Sequence, residues 1–471
     1  MSDAPVPSLV HAPLADRGWP TRTELRALVR LALPVVAVEL GLMAMGAVDS
    51  MMVGHVSATA LAATGLAWIY TYTILVLAIG TLVGTESLLS QAVGARDEAA
   101  YAAALQRGLV LAALLLVPTT LALLPTAPML RLLSQPAEII APATRFVHLS
   151  IAGLPPMLAF IVLRIALQAR ERIAPVLWAI LLANGVNALL NWVLVFGRLG
   201  APALGTDGAA LASVAARWTL LVAVLAFGWR DLREPLVRRV TARLDRAALG
   251  RMLALGVPAG VQYLLEVGVF NVVALLMGTL ATSTFAAHQV AIGLASLTFM
   301  MPLGIGAATS VLVGQAIGRA DAAGARRIAH GGLALGAAVM TIGALLFTVF
   351  PRALASLYVR EADVIAIAAT FIPLAGVFQL FDGIQAVAGG ALRGAADTRA
   401  AMWANIVGFW GIGLPLGLLL AFRLGHGPAG LWWGLVIGLA AVAAVLVTRV
   451  RRRFRGSFVR ATVETAPPVV A

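Results

Sequence analysis

The 471-residue sequence contains no lysine and no cysteine. Without cysteine there are no disulfides, no thiolate-held zinc and no iron–sulfur cluster. Without lysine there is no phosphate-cradling P-loop lysine and no Schiff base, so the chain carries no nucleotide-driven motor of its own. The six histidines (His11, His55, His148, His288, His330 and His426) form neither an HExxH motif nor a close pair. Charge is scarce as well, at 12% of residues against 61% hydrophobic. That is too little polarity to wrap an apolar mass of this size in water, so lipid must be the solvent. The most polar stretch runs only from about Gly228 to Arg251, too short for a soluble domain. Residues 1–25 lack the short apolar core and small-residue cleavage site of a signal peptide.

What remains is apolar and periodic. Runs of about 20 or more apolar residues, punctuated by arginine or by Gly/Pro, predict membrane-crossing helices. There are twelve, over 28–53, 63–90, 101–123, 139–168, 174–196, 206–228, 250–278, 284–315, 327–350, 362–391, 399–422 and 429–449. The charged connection WRDLREPLVRRVTARLDRAALG divides them into two sets of six. The expected fold is an all-α integral membrane protein of two pseudo-symmetric six-helix bundles. Its expected parts are an N-terminal tail (1–27), an N-terminal lobe (28–228), a linker (229–249), a C-terminal lobe (250–449) and a C-terminal tail (450–471).

The net charge of +13 is carried by arginine, and its placement decides its meaning. Of 34 arginines, 27 lie in or near the tails and alternate connections, six in or near the intervening connections, and Arg217 lies inside a span. This is the positive-inside pattern, which puts both termini and the linker in the cytoplasm and needs no nucleic-acid partner.

The halves repeat. At an offset of 224 residues LALP ending at Pro34 matches LGVP ending at Pro258, TALAATGL (59–66) matches STFAAHQV (283–290), and QAVGARD (91–97) matches QAIGRAD (315–321). At 225 residues LQARERIAPVLW (167–178) lies over LRGAADTRAAMW (392–403). Six spans per half is even, so both repeats enter from one side and are related by an axis along the membrane normal. Prolines interrupt several spans: Pro34, Pro155 with Pro156, Pro258, Pro302, Pro373 and Pro415. Each removes a backbone hydrogen bond. Pro34, Pro155, Pro258 and Pro373 are the hinge candidates, with ordinary membrane-helix proline as the alternative.

Polar groups inside the spans are the candidate sites, because an ionised carboxylate at mid-membrane costs roughly 2.5–3.5 kcal/mol. VQYLLEVGVF holds Glu266, with Gln262 one turn earlier on the same face. VFQLFDGIQAV holds Asp382 between Gln379 and Gln385, a predicted polar stripe at i−3, i and i+3. AMGAVDSMMVG contributes Asp49, and ANGVNALLNWV puts Asn184, Asn187 and Asn191 within about 60° of one another on a helix. Asparagine glue between helices is the competing reading for that trio, as a satisfied structural hydrogen bond is for each carboxylate. Glu39, Glu86 and Arg217 also lie within spans, and Arg217 is a candidate to neutralise a carboxylate. The repeat sets Leu42 opposite Glu266 and Val273 opposite Asp49, so the scaffold is duplicated and the carboxylates are not.

Seven stretches together resemble the multidrug and toxic compound extrusion (MATE) family, closest to its NorM-like branch, over essentially the whole chain. They are VDSMMVGHVSATALAA, LRIALQAR, NGVNALLN, VPAGVQYLLEVGVF, FAAHQVAI, GIGAATSVLVGQAIG and FDGIQAVAGGALRGAADT. The resemblance implies two six-helix lobes around a central cavity, exporting organic cations against inward sodium ions or protons. It matches the family's span-seven glutamate to Glu266, its span-ten aspartate to Asp382, its span-one aspartate to Asp49, and its span-five polar pair to Asn187 and Asn191. Gln289 of FAAHQVAI joins the supporting polar groups. Three positions depart from relatives. Asn191 stands where a DinF-like branch has aspartate, Phe378 where some sodium-coupled members have tyrosine, and Glu86 where an amide is expected.

The expected activity is therefore a secondary antiporter and not an enzyme. No cofactor is expected, and the coupling ion is a proton or Na+, held at Glu266 and Asp382. Small organic cations are the cargo and the lipid bilayer the partner, with the chain acting as a monomer in a bacterial inner membrane. The rival within transport is a flippase for an anionic lipid-linked substrate, for which Arg217 and Arg164 are the candidate contacts.

Overall fold

A computed structural model describes residues 19–240 and 244–462. Parts of the expected tails and linker (1–18, 241–243 and 463–471) lie outside the described residues. Twelve helices among the described residues are long and apolar enough to cross a membrane. They are α1 (Arg22–Gly54), α2 (Ala58–Gly94), α3 (Glu98–Leu123), α4 (Ala137–Ala169), α5 (Ala174–Phe196) and α6 (Thr206–Val237), followed by α7 (Arg246–Leu280), α8 (Thr282–Gly318), α9 (Ala322–Val349), α10 (Ala362–Gly394), α11 (Thr398–Arg423) and α12 (Gly427–Arg453).

Helix ends follow local chemistry. α1 starts at Arg22, inside the expected tail, because Thr21 and Glu24 form a capping box. The Glu24 amide donates to Thr21 Oγ1 at 3.2 Å and the Thr21 amide to Glu24 Oε2 at 2.7 Å. Asp97 and Asp321, matched by the repeat, accept from the third residue of α3 and α9 in turn. α6 runs on to Val237, so much of the expected linker is helix. Its last turn is held by the buried Gln106 of α3, whose amide donates to the carbonyls of Pro235 (2.7 Å) and Arg238 (2.8 Å). α12 likewise passes the expected boundary and ends at Arg453, after which Ala461 N donates to Gln91 Oε1 at 2.7 Å.

The prolines act differently from one another. Before Pro155 and Pro156, α4 passes through a 3₁₀ turn, Ile151–Gly153. Pro156 has no N–H for the Ala152 carbonyl, and Trp218 Nε1 of α6 takes that carbonyl at 3.2 Å. Around Pro415, α11 contains two π-helical stretches, Ile406–Gly413 and Leu419–Arg423. Pro34, Pro258 and Pro373 lie within continuous helix.

The chain packs as two compact units that exchange pieces of their sequence. The C-terminal unit comprises the described residues through Val36, Ser90–Arg96 and Val261–Ala461, and the N-terminal unit Ala37–Leu89 and Asp97–Gly260. The division thus departs from the sequential one at 228 and 250. It crosses α1 two residues after Pro34 and α7 two residues after Pro258, at positions the 224-residue repeat equates. Small residues explain the exchange. A Cβ on Gly80 of α2 would come within 2.6 Å of the Gly260 Cα of α7, and one on Gly304 of α8 within 2.9 Å of the Val36 amide of α1. The repeat maps Gly80 onto Gly304 and Val36 onto Gly260, so these are one contact made twice. In the same way a Cβ on Gly94 would meet the Gln315 carbonyl at 2.0 Å and one on Gly318 the Gln91 carbonyl at 2.1 Å. Backbone-to-backbone approach of this kind is how membrane helices associate when lipid removes the hydrophobic drive.

Candidate ion and substrate sites

The C-terminal unit holds Glu266 on α7 and Asp382 on α10. Glu266 is half-buried, while Asp382, Gln262, Gln379 and Gln385 are buried. Gln385 Nε2 reaches Glu266 Oε2 at 3.5 Å, and the two carboxylates interact electrostatically, so the pair forecast from sequence is brought together. Neither makes an ion pair within 4 Å with an arginine among the described residues; Arg393 acts on Glu266 from further along α10. Gln262 and Arg393 both approach Gly389, with Nε2 and Nη1 at 4.0 and 3.6 Å from where a Cβ would stand.

The expected glutamine stripe is divided. Gln385 faces Glu266, but Gln379 turns toward α9, its Oε1 3.2 Å from where a Cβ on Gly343 would be. Six residues on a helix rotate through 240°, so the ends of an i−3, i, i+3 row address different neighbours. Both amide atoms of Gln379 and Oε1 of Gln385 are buried without a hydrogen-bond partner. Such oxygens suit a cation or its water. Gln289 of α8 is exposed while its neighbour His288 is buried.

An aromatic cluster begins one helical turn from each carboxylate. Phe270, one turn from Glu266, stands edge-on to Phe378, one turn from Asp382, with centroids 5.8 Å apart. Phe409 packs on Phe270 at 6.1 Å and Trp432 on Phe378 at 6.3 Å. Trp410 fixes α11 to α7 through Nε1–H to the Leu265 carbonyl at 3.1 Å, over Gly268. The sequence reading singled out Phe378 alone. Nothing in spacing joins residues from α7, α10, α11 and α12.

The N-terminal unit holds Asp49 on α1, fully buried. Asn187 and Asn191 of α5 donate to its Oδ1 at 2.9 and 2.7 Å, and Ser213 of α6 donates to Oδ2. Arg217, one turn beyond Ser213, interacts electrostatically with Asp49. Asn184 does not join them. It donates to the Gly41 and Ile180 carbonyls, both at 2.9 Å, and ties α5 to α1. The glue reading thus describes Asn184, while Asn187 and Asn191 hold a carboxylate. Glu39 of α1 is paired with Arg164 of α4. Gln168 Nε2 lies 3.5 Å from Glu86 Oε1. Sequence reasoning missed Ser213; the i, i+4 spacing of Ser213 and Arg217 in ASVAAR was the available signal.

Comparison with known families falls on the same framework. The MatE family model matches residues 34–193 and again 258–419, one copy per repeat. The chain belongs to the MATE family. Among curated MATE relatives, the probable multidrug resistance protein NorM of Rhizobium meliloti is 37% identical over 451 residues, covering 94% of this chain and 96% of the relative. The multidrug resistance protein NorM of Burkholderia vietnamiensis is 35% identical over 428 residues, covering 89% and 92%. A crystal structure of the eukaryotic MATE transporter AtDTX14 aligns with TM-score 0.83 at 23% identity, covering 92% of this chain and 98% of that one. The Vibrio cholerae MATE transporter VcmN in its bent form aligns with TM-score 0.80 at 19% identity, covering 92% and 97%. At those identities the structural likeness is one of fold, and it matches the twelve-helix MATE architecture described above.

Proposed function

We propose that the chain is a secondary active multidrug efflux transporter that exports organic cations against protons or sodium ions by alternating access. The bacterial inner membrane, with both termini cytoplasmic, is the proposed setting. The observation that carries the reading is the Glu266–Asp382 pair: two carboxylates in spanning helices, one of them met by the Gln385 amide, and neither in an ion pair within 4 Å with an arginine among the described residues. Uncompensated intramembrane acids are costly and mark ion or substrate paths. A lipophilic cation favours their ionised form, and an incoming proton or Na+ competes for the same negative charge. The Phe270–Phe378–Phe409–Trp432 cluster, which begins one helical turn from each carboxylate, offers apolar and cation–π contact.

Voltage constrains the exchange. Moving one charge through 100 mV is worth about 2.3 kcal/mol, so one cation out for one proton in cancels the electrical term. Two ions per cation draw on voltage as well, and two carboxylates suffice for that. The reading of an anionic lipid-linked substrate is disfavoured because Arg164 has Glu39 as its partner and Arg217 interacts with Asp49.

The test is ethidium transport in liposomes holding the purified chain, with proton and sodium gradients imposed separately. One gradient drives export, and Glu266→Gln and Asp382→Asn each abolish that drive. If both variants pump like the unmodified chain, the assignment fails.

A further inference from the structure

The α12 end of the C-terminal unit carries more positive charge than the protein itself neutralises. Between residues 383 and 462 the sole acid is Asp397, against nine arginines, six of which fall within Arg449 to Arg460. Asp397, at the start of α11, is already taken by Arg449 Nε at 2.7 Å. The side chains of Arg399, Arg451, Arg452 and Arg455 are exposed and make no ion pair or hydrogen bond among the described residues.

These arginines are not on a loose tail. Beyond α12 the chain folds back, with Phe454 and Phe458 buried and their ring centroids 5.2 Å apart. Arg453 lies over the Phe458 ring at 4.6 Å and donates to the Ser457 carbonyl at 2.8 Å. The Ala461 amide ends the segment on Gln91 Oε1, and Gln91 Nε2 donates to the Gly394 carbonyl at 2.9 Å. Apolar residues thus turn in and arginines turn out, in an arrangement whose ordering cost is met before any ligand arrives. Beside the charge lies an apolar surface. Trp403, one turn along α11 from Arg399, is 60% exposed, and Val407 and Val445 are exposed as well.

Membrane insertion asks for arginine on the cytoplasmic side but not for unpaired arginine. The corresponding end of the N-terminal unit satisfies that demand with partners. There Arg170 has Glu98, Arg172 has Asp231 at 3.6 Å and Arg238 has Glu234 at 3.0 Å. The exposed Arg230 and Arg233 of that unit each adjoin one of these acids in sequence.

We propose that the cytoplasmic end of α11 and α12 is a docking surface for anionic phospholipid of the surrounding leaflet, with headgroup phosphates at Arg399, Arg451, Arg452 and Arg455 and acyl chains along Trp403. The proposal rests on the cytoplasmic placement of the termini given above. A guanidinium fork matches two phosphate oxygens, and an interfacial tryptophan suits the boundary between headgroup and chain.

The test passes the full-length purified chain through micelles of equal phosphatidylglycerol and phosphatidylcholine and counts retained lipid by mass spectrometry. Phosphatidylglycerol is retained in preference. Arg451→Gln/Arg452→Gln/Arg455→Gln lowers that preference by about 10-fold or more, whereas Arg230→Gln/Arg233→Gln changes it by less than about twofold. Equal retention of the two lipids by the unmodified chain, or equal losses from the two sets of substitutions, overturns the inference. Excess soluble glycerol phosphate leaves the lipid bound; displacement by it overturns the lipid assignment. Should the glutamine variant fail to insert, Arg451→Lys/Arg452→Lys/Arg455→Lys and rising salt decide. The lysine variant keeps the preference and salt weakens it, and a preference that salt leaves untouched overturns the inference. An active alkaline phosphatase fused after Ala471 places the C-terminus outside and sinks the topology reading itself, an outcome separate from the lipid counts.

Discussion

The two units carry similar numbers of intramembrane acids and treat them in opposite ways. In the N-terminal unit Glu39 has Arg164, and Asp49 has three neutral donors. In the C-terminal unit Glu266 has one long contact from Gln385, Arg393 acts on it from further along α10, and Asp382 feels Glu266 as a charge of like sign. A buried acid with its arginine is a structural element, because removing either partner strands a charge. A buried acid facing another acid is an unsettled element, which a proton, a metal ion or a cationic substrate relieves. Duplication supplied one backbone twice, and the partners of the acids differ between the copies.

That contrast is breakable. The largest effect is expected where it is most direct: Glu266→Gln or Asp382→Asn lowers gradient-driven ethidium export by about 100-fold or more, while thermal stability in detergent stays within about 1 kcal/mol of the unmodified chain. Equal transport losses from Arg164→Met would erase the distinction between the units. Next comes Asp49→Asn, which replaces the carboxylate that accepts from Asn187, Asn191 and Ser213 and costs about 1–3 kcal/mol, read as an unfolding midpoint in denaturant.

Smaller effects test the shared scaffold. Gly80→Val and Gly304→Val, equivalent in the repeat, each cost about 1–3 kcal/mol by forcing α7 off α2 or α1 off α8. Unequal costs would show that the two crossovers are held differently. Smallest is Asn184→Ala, which removes the bond to the Gly41 carbonyl for about 1 kcal/mol and leaves the ion dependence of export unchanged. A change in ion dependence would move Asn184 from glue to site.

Much of the fold was legible in the linear pattern because a bilayer demands long apolar helices whatever their neighbours are. All twelve spans overlap the helices observed, and the 224-residue repeat recurs in the matched family segments and in the paired contacts of Gly80 and Gly304. Boundaries were less legible. α6 overran the expected linker because Gln106, about 130 positions away, caps it, and no local signal names a distant cap. The exchange of helix segments at Val36 and Gly260 was hidden for the same reason, since it depends on which glycines meet.

The sites divide along the same line. An acid in an apolar run is conspicuous by itself, since burial of charge is costly wherever it occurs, so Asp49, Glu266 and Asp382 stood out. Helical spacing also brought Asn187 and Asn191 into view, but it could not separate them from Asn184, because a face about 60° wide touches more than one neighbour. The sequence by itself determined the solvent, the number of crossings, the duplication and the list of costly charges, all of which follow from composition and period. Only the tertiary structure decided which charges are partners. Pairing depends on distance and on space for a side chain, and the room Gly153 leaves for Arg217 at the Ser150 carbonyl exists only when α4 and α6 are packed together.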